Sequence, residues 1–154
     1  MIPAFDALSE NEVELLLKAP LLASILIAGA DGHIDHKEMK EAIQQAQKNA
    51  SRARASLMEF YKMVGEDFED KLKILIAGYP HEVKVRNPLI VEELTRLNSI
   101  FEKLPKSFSQ DLYKSLCDLA QGVATSSGGM FGINKIGDEE ARWVNLPMLR
   151  PPQA

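Results

Sequence analysis

The residues with the most chemistry to offer stand in one short run, Asp31-Gly32-His33-Ile34-Asp35-His36-Lys37-Glu38. Counted back from Glu38 as the twelfth position of a calcium-binding EF-hand loop, Asp31 falls at the fifth position, Gly32 at the sixth, Ile34 at the eighth and Asp35 at the ninth. The first and third positions are then Ile27 and Gly29, where carboxylates are needed, so this loop alone cannot complete an oxygen cage. It is not a working EF-hand. The same residues also suit purely local work. Gly32 fits a left-handed helix stop, Asp35 and Glu38 a capping box, Ile34 and Met39 the two staple positions around it, and Asp31 a solvated turn. A second acidic run, Asp138-Glu139-Glu140, allows a chemical alternative. Asp31, Asp35 and Glu38 would join Asp138, Glu139 or Glu140 around one divalent cation, calcium in preference to zinc.

His33 and His36 flank the first turn, and a His-x-x-His pair can chelate a transition metal, but two ligands leave the site incomplete. Histidines on exposed turns are more often solvated than ligating. Ser126-Ser127-Gly128-Gly129-x-x-Gly132 resembles a phosphate-cradling loop only in composition, with no preceding strand and no Gly-Lys-Ser/Thr. Its glycines are expected to let the chain pass close to a neighbouring helix, with Met130, Phe131 and Ile133 packed down. Cys117 falls on an inward stripe beside Leu116 and reads as a buried apolar residue rather than a nucleophile. Trp143 reads as core closure. No Ser/His/Asp order, nucleophile elbow or paired-acid motif is present, so no enzyme and no organic cofactor are expected.

The elements that must position these residues are helices. Ser9 with Glu10 and Glu12 reads as a capped start of a helix to about Lys18, and Pro20 as the opening of a second, Leu21 to Ala30, apolar nearly all round. The capping-box turn opens a largely solvent-facing helix to about Ala50, with Met39, Ile43 and Ala46 inward. Leu57, Phe60, Tyr61 and Val64 mark the next face, Gly65 a break, and Phe68, Leu72, Leu75 and Ile76 another. A loop from Gly78 to Asn87 precedes Pro88, which should open a helix with Ile90, Leu94, Leu97, Phe101 and Leu104 inward, ended by Pro105. Phe108, Leu112, Leu116, Leu119 and Val123 line the next. Ser126 to Gly132 is a small-residue loop, Asp138 to Leu146 a last short helix, and Pro147 to Ala154 a proline-containing tail. Two places share a layout: an apolar helix, a glycine turn and acids at the start of the following helix, with Ile34 and Ile136 in matching positions. They suggest two helix–turn–helix halves packed on each other.

Composition sets the frame. The 154 residues suit one domain, with the core at about 9–146 and a tail at 147–154, and 45% apolar residues suffice for that core. A net charge of −4, with only Lys48, Arg52 and Arg54 as a basic cluster, argues against nucleic-acid partners. The longest apolar run, Ala19 to Ala30, is too short for a bilayer, which needs about 20 apolar residues, so no direct membrane insertion is expected. A single cysteine excludes an internal disulfide and fits a reducing compartment, and the N-terminal stretch lacks signal-peptide regions. A cytoplasmic protein is expected.

The stretch Ala28-Gly29-Ala30-Asp31-Gly32-His33-Ile34-Asp35-His36-Lys37-Glu38 is similar to the first signature of the tellurite-resistance TerB-like family, in which A-x-A-D-G-x-I-x-x-x-E precedes a surface helix. Ser127-Gly128-Gly129-Met130-Phe131-Gly132 followed by Lys135-Ile136-Gly137-Asp138-Glu139-Glu140 resembles the second signature. The resemblance spans roughly residues 12 to 146. It implies an all-α fold of about seven helices around a four-helix core with pseudo-twofold internal symmetry. It further implies a non-enzymatic adaptor in a stress or tellurite-resistance system, with protein partners that include membrane-bound ones. The metal-binding acids would be Asp31, Asp35 and Glu38 with Asp138, Glu139 and Glu140. The other reading is a purely structural protein–protein interaction module whose acidic turns only cap helices.

Overall fold

The apolar residues recur at helical spacing, and the chain folds accordingly. The computed structural model describes residues 2–28, 36–53, 55–128 and 142–152. The described chain is all-α, with no strand among the described residues. A short 3-10 turn at Pro3–Phe5 leads into α1 (Glu10–Ala28), α2 (His36–Ala53), α3 (Ala55–Gly65), α4 (Phe68–Ala77), α5 (Val83–Thr95), α6 (Leu97–Lys103) and α7 (Lys106–Gly128).

The start of α1 is fixed by a reciprocal cap. The Ser9 amide donates to Glu12 Oε1 (2.9 Å) and the Glu12 amide to Ser9 Oγ (3.2 Å), which satisfies two amides that the first turn cannot pair internally. Contrary to the expectation of two helices divided near Pro20, α1 runs straight through this residue. An interior proline costs about 3 kcal/mol. Burying one Leu or Ile contributes about 1.5–3 kcal/mol, and Leu21, Leu22, Ile25, Leu26 and Ile27 are all almost fully buried. Burial wins, and Ser24 Oγ donates to the Pro20 carbonyl (2.7 Å) inside the core.

Other boundaries also shift. α5 opens at Val83, five residues before Pro88, and the expected long helix to Leu104 is divided at Arg96 into α5 and α6. Pro105 does end α6, with Leu104 in extended backbone. α7 continues through residues expected to be loop, as far as Gly128. Residues 142–145 form turns where the end of a last helix was expected; the earlier part of that helix, 138–141, lies outside the described residues.

α1 is central: every residue from Ala19 to Ala28 is buried, and α1 packs most extensively on α7, then on α5 and α3. Phe5 sits edge-on to both Phe60 (6.2 Å between centroids) and Phe108 (5.9 Å), and so ties the N-terminal turn to α3 and α7. The core also reaches past the expected limits of 9–146, because Ile2, Phe5 and Leu149 are buried. The supposed tail is a strap. Asn98 Nδ2 donates to the Met148 carbonyl (3.0 Å) and the Arg150 amide donates to Asn98 Oδ1 (2.8 Å), with Leu146 and Leu149 seated in the core. No helix among the described residues is long and apolar enough to cross a membrane.

Candidate functional site

The helices that precede the two acidic runs are α1 and α7, and their relative direction sets the side of the bundle at which each ends. Their beginnings lie together. Lys103 Nζ, just before α7, donates to Glu12 Oε2 in the first turn of α1 (2.6 Å), and Phe5 touches Phe108. From there α1 packs on α7 more extensively than on any other helix, and both helices carry buried residues along their later turns. They therefore run in the same direction. At 1.5 Å per residue they span about 28 and 34 Å, so Ala28 and Gly128 end at the same side of the bundle.

Glu38 is the one candidate ligand within the described residues; it lies half-buried in the first turn of α2, next to the buried Met39. An acid there also suits the helix dipole. Asp31, Asp35, Asp138, Glu139 and Glu140 lie outside the described residues, as do His33 and the loop residues Met130, Phe131 and Ile133. His36 opens α2, with Nδ1 at 3.8 Å from Glu69 Oε2 of α4, a long exposed pairing of little energetic weight. Among the described residues no three His, Cys, Asp or Glu side chains gather in a way that could hold a metal ion.

The same side of the bundle holds a feature that the sequence did not announce. Asn11 and Leu15 of α1 lie against Glu93 and Arg96 at the far end of α5, so α5 runs antiparallel to α1. Arg86 and Asn87, near the start of α5, therefore lie along the second half of α1, and both are buried. Burial pushes the Arg86 guanidinium below its ordinary value, and Asn87 Oδ1 accepts no hydrogen bond from any described residue. Both residues lay in a stretch read as loop, so the only available signal was their position just before Pro88.

Cys117 is half-buried rather than fully inward. Burial raises its thiol pKa, only partly opposed by a hydrogen bond with Tyr113, so the thiolate form is disfavoured. Trp143 is half-buried against the core with the Arg142 guanidinium over its ring (4.7 Å). A trough between α2 and α7, lined in part by Glu41, Asp111, Asp118 and Gly122, was also missed. An interior glycine in an otherwise regular helical stripe was its one legible mark. Compared with family models, with curated proteins and with solved structures, the chain matches none.

Proposed function

We propose that the chain is a TerB-like, non-enzymatic adaptor that takes one divalent cation between the turns following α1 and α7. In this reading the helices form a four-helix core with internal pseudo-twofold symmetry, and Asp31, Asp35, Glu38, Asp138, Glu139 and Glu140 supply the oxygens. Calcium is preferred to zinc, since carboxylates are hard donors. The partners are other proteins, including membrane-associated ones, in a cytoplasmic stress or tellurite-resistance system; this part rests on the resemblance of the two signatures. The observation that supports the proposal is that Ala28 of α1 and Gly128 of α7, the last described residues before the two acidic runs, end on one side of the bundle.

A second reading, an interaction module whose acidic turns only cap helices, is favoured by the place of Glu38 in the first turn of α2. Calorimetric titration of chelator-stripped protein with calcium, magnesium and zinc separates the two. The adaptor reading expects heat with calcium, lost in both Asp31→Asn and Asp138→Asn. Absence of heat with every metal leaves the capping module. Calcium heat that survives Asp138→Asn would overturn the two-turn site.

A further inference from the structure

We propose that the trough between α2 and α7 is a docking site for an amphipathic helix of a partner protein, with small residues along its seam and lysine or arginine along its flanks. The trough measures about 520 Å³ and lies chiefly between α2 and α7. Glu41, Gln45 and Asn49 follow one another at single-turn spacing on α2, and Asp111, Lys114 and Asp118 stand along α7. Eight residues of helix cover about 12 Å, so the trough accommodates roughly two turns of a third helix laid lengthwise.

Its floor is built for close approach. Ala42, Ala46 and Ala50 recur every fourth residue on α2, and the exposed Gly122 of α7 also lines the trough. Glycine is the poorest helix former after proline, yet Gly122 stands inside α7. A Cβ placed on it meets no atom within 4 Å. Packing among the described residues thus gives no reason for the missing side chain, whereas a second backbone lying in the trough would use the space it leaves.

The charges select the occupant. The exposed Glu41 and Asp118 outnumber Lys114, so the walls attract a basic flank and repel an acidic one. They also disfavour a second copy of this chain. A twofold contact through this face would set its acids against themselves, in a chain whose net charge is already −4. The trough shares no lining residue with the proposed cation ligands, and its proposal does not depend on a cation there.

The test uses the full chain and a fluorescently labelled helical peptide with an Ala/Leu seam and Lys flanks, beside the same peptide with Glu in place of Lys. Anisotropy titrations at low and high salt should show the Lys peptide binding, weakened by salt, and the Glu peptide failing. Gly122→Trp should weaken the Lys peptide by about tenfold or more, with an unchanged circular dichroism spectrum. Asp118→Lys, at an exposed position, should shift preference toward the Glu peptide whether or not the Trp variant folds. Equal binding of both peptides, no binding of either, or full binding by a folded Gly122→Trp would overturn the proposal. Concentration-dependent dimerisation in light scattering, abolished by Gly122→Trp, would assign the face to a second copy instead.

Discussion

Replacing Asn98 with alanine should release the C-terminal strap, and its cost can be worked from the contacts. Asn98 makes two hydrogen bonds to strap backbone, to the Met148 carbonyl and from the Arg150 amide. At about 0.5–1.5 kcal/mol each, Asn98→Ala should cost roughly 1–3 kcal/mol. The clamp works against strain, since Leu146 is held at φ 45°, a left-handed backbone that side-chain-bearing residues adopt at a cost of about 1–2 kcal/mol. Removing the chain from Pro147 onward also exposes the site of Leu149, 4% accessible, and should cost roughly 2.5–6 kcal/mol in all. Urea denaturation of the full chain, Asn98→Ala, the truncated chain and the double variant closes a thermodynamic cycle. If Asn98 acts through the strap, its substitution in the truncated chain should cost no more than about 0.5 kcal/mol. A full penalty in the truncated chain, or none in the full chain, would refute the clamp.

Four further outcomes are expected. Ser9→Ala should destabilise by about 1 kcal/mol in thermal melts, while Ser9→Asp should remain near wild type. The Lys103 hydrogen bond, then the Ser9 amide, hold the Glu12 carboxyl below its ordinary value of 4.5. The stability this confers is present above that value and fades as pH falls below it, and Glu12→Gln should flatten that part of an acid titration. Burial raises Tyr61, and to a lesser degree Tyr79 and Tyr113, above the ordinary tyrosine value of 10.0. Stability should therefore be full below pH 10.0 and fall above it, with the Tyr61 phenolate appearing only as the fold is lost; Tyr61→Phe should soften that fall. Gly122→Ala should stabilise the isolated protein by about 0.5–1 kcal/mol by urea denaturation, since the added methyl meets nothing.

The core was legible because burial follows local spacing. Ile90, Leu94, Leu97, Phe101 and Leu104 were expected inward and are all buried, as are Phe108, Leu112, Leu116, Leu119 and Val123. The cap at Ser9 was legible for the same reason: its partner, Glu12, lies three residues away. Proline was read less well. Pro20 and Pro105 carry the same local penalty, but Pro20 is flanked by a run of residues that α5 and α7 cover, and no local pattern displays that cover. The strap escaped notice because its anchor, Asn98, stands 50 residues from Met148. For the candidate site, residue types were readable but distances were not. Whether Asp31 and Asp138 can approach depends on α1 and α7 running the same way, which the Glu12–Lys103 and Phe5–Phe108 contacts set across most of the chain.

The strap and the N-terminal turn finish at the same place. Phe5 rests on Phe108, and Arg150 lies beside Lys106 and Ser109, so both arrive where α7 begins. This makes the fold a candidate for circular permutation: a short flexible linker from Arg150 back to Ile2 would close a ring at small entropic expense. New termini could be opened at the exposed Pro80–His81 bond, in the turn between α4 and α5. A bulky reporter inserted in that linker, between Arg150 and Ile2, would sit at the opposite side of the bundle from Ala28 and Gly128.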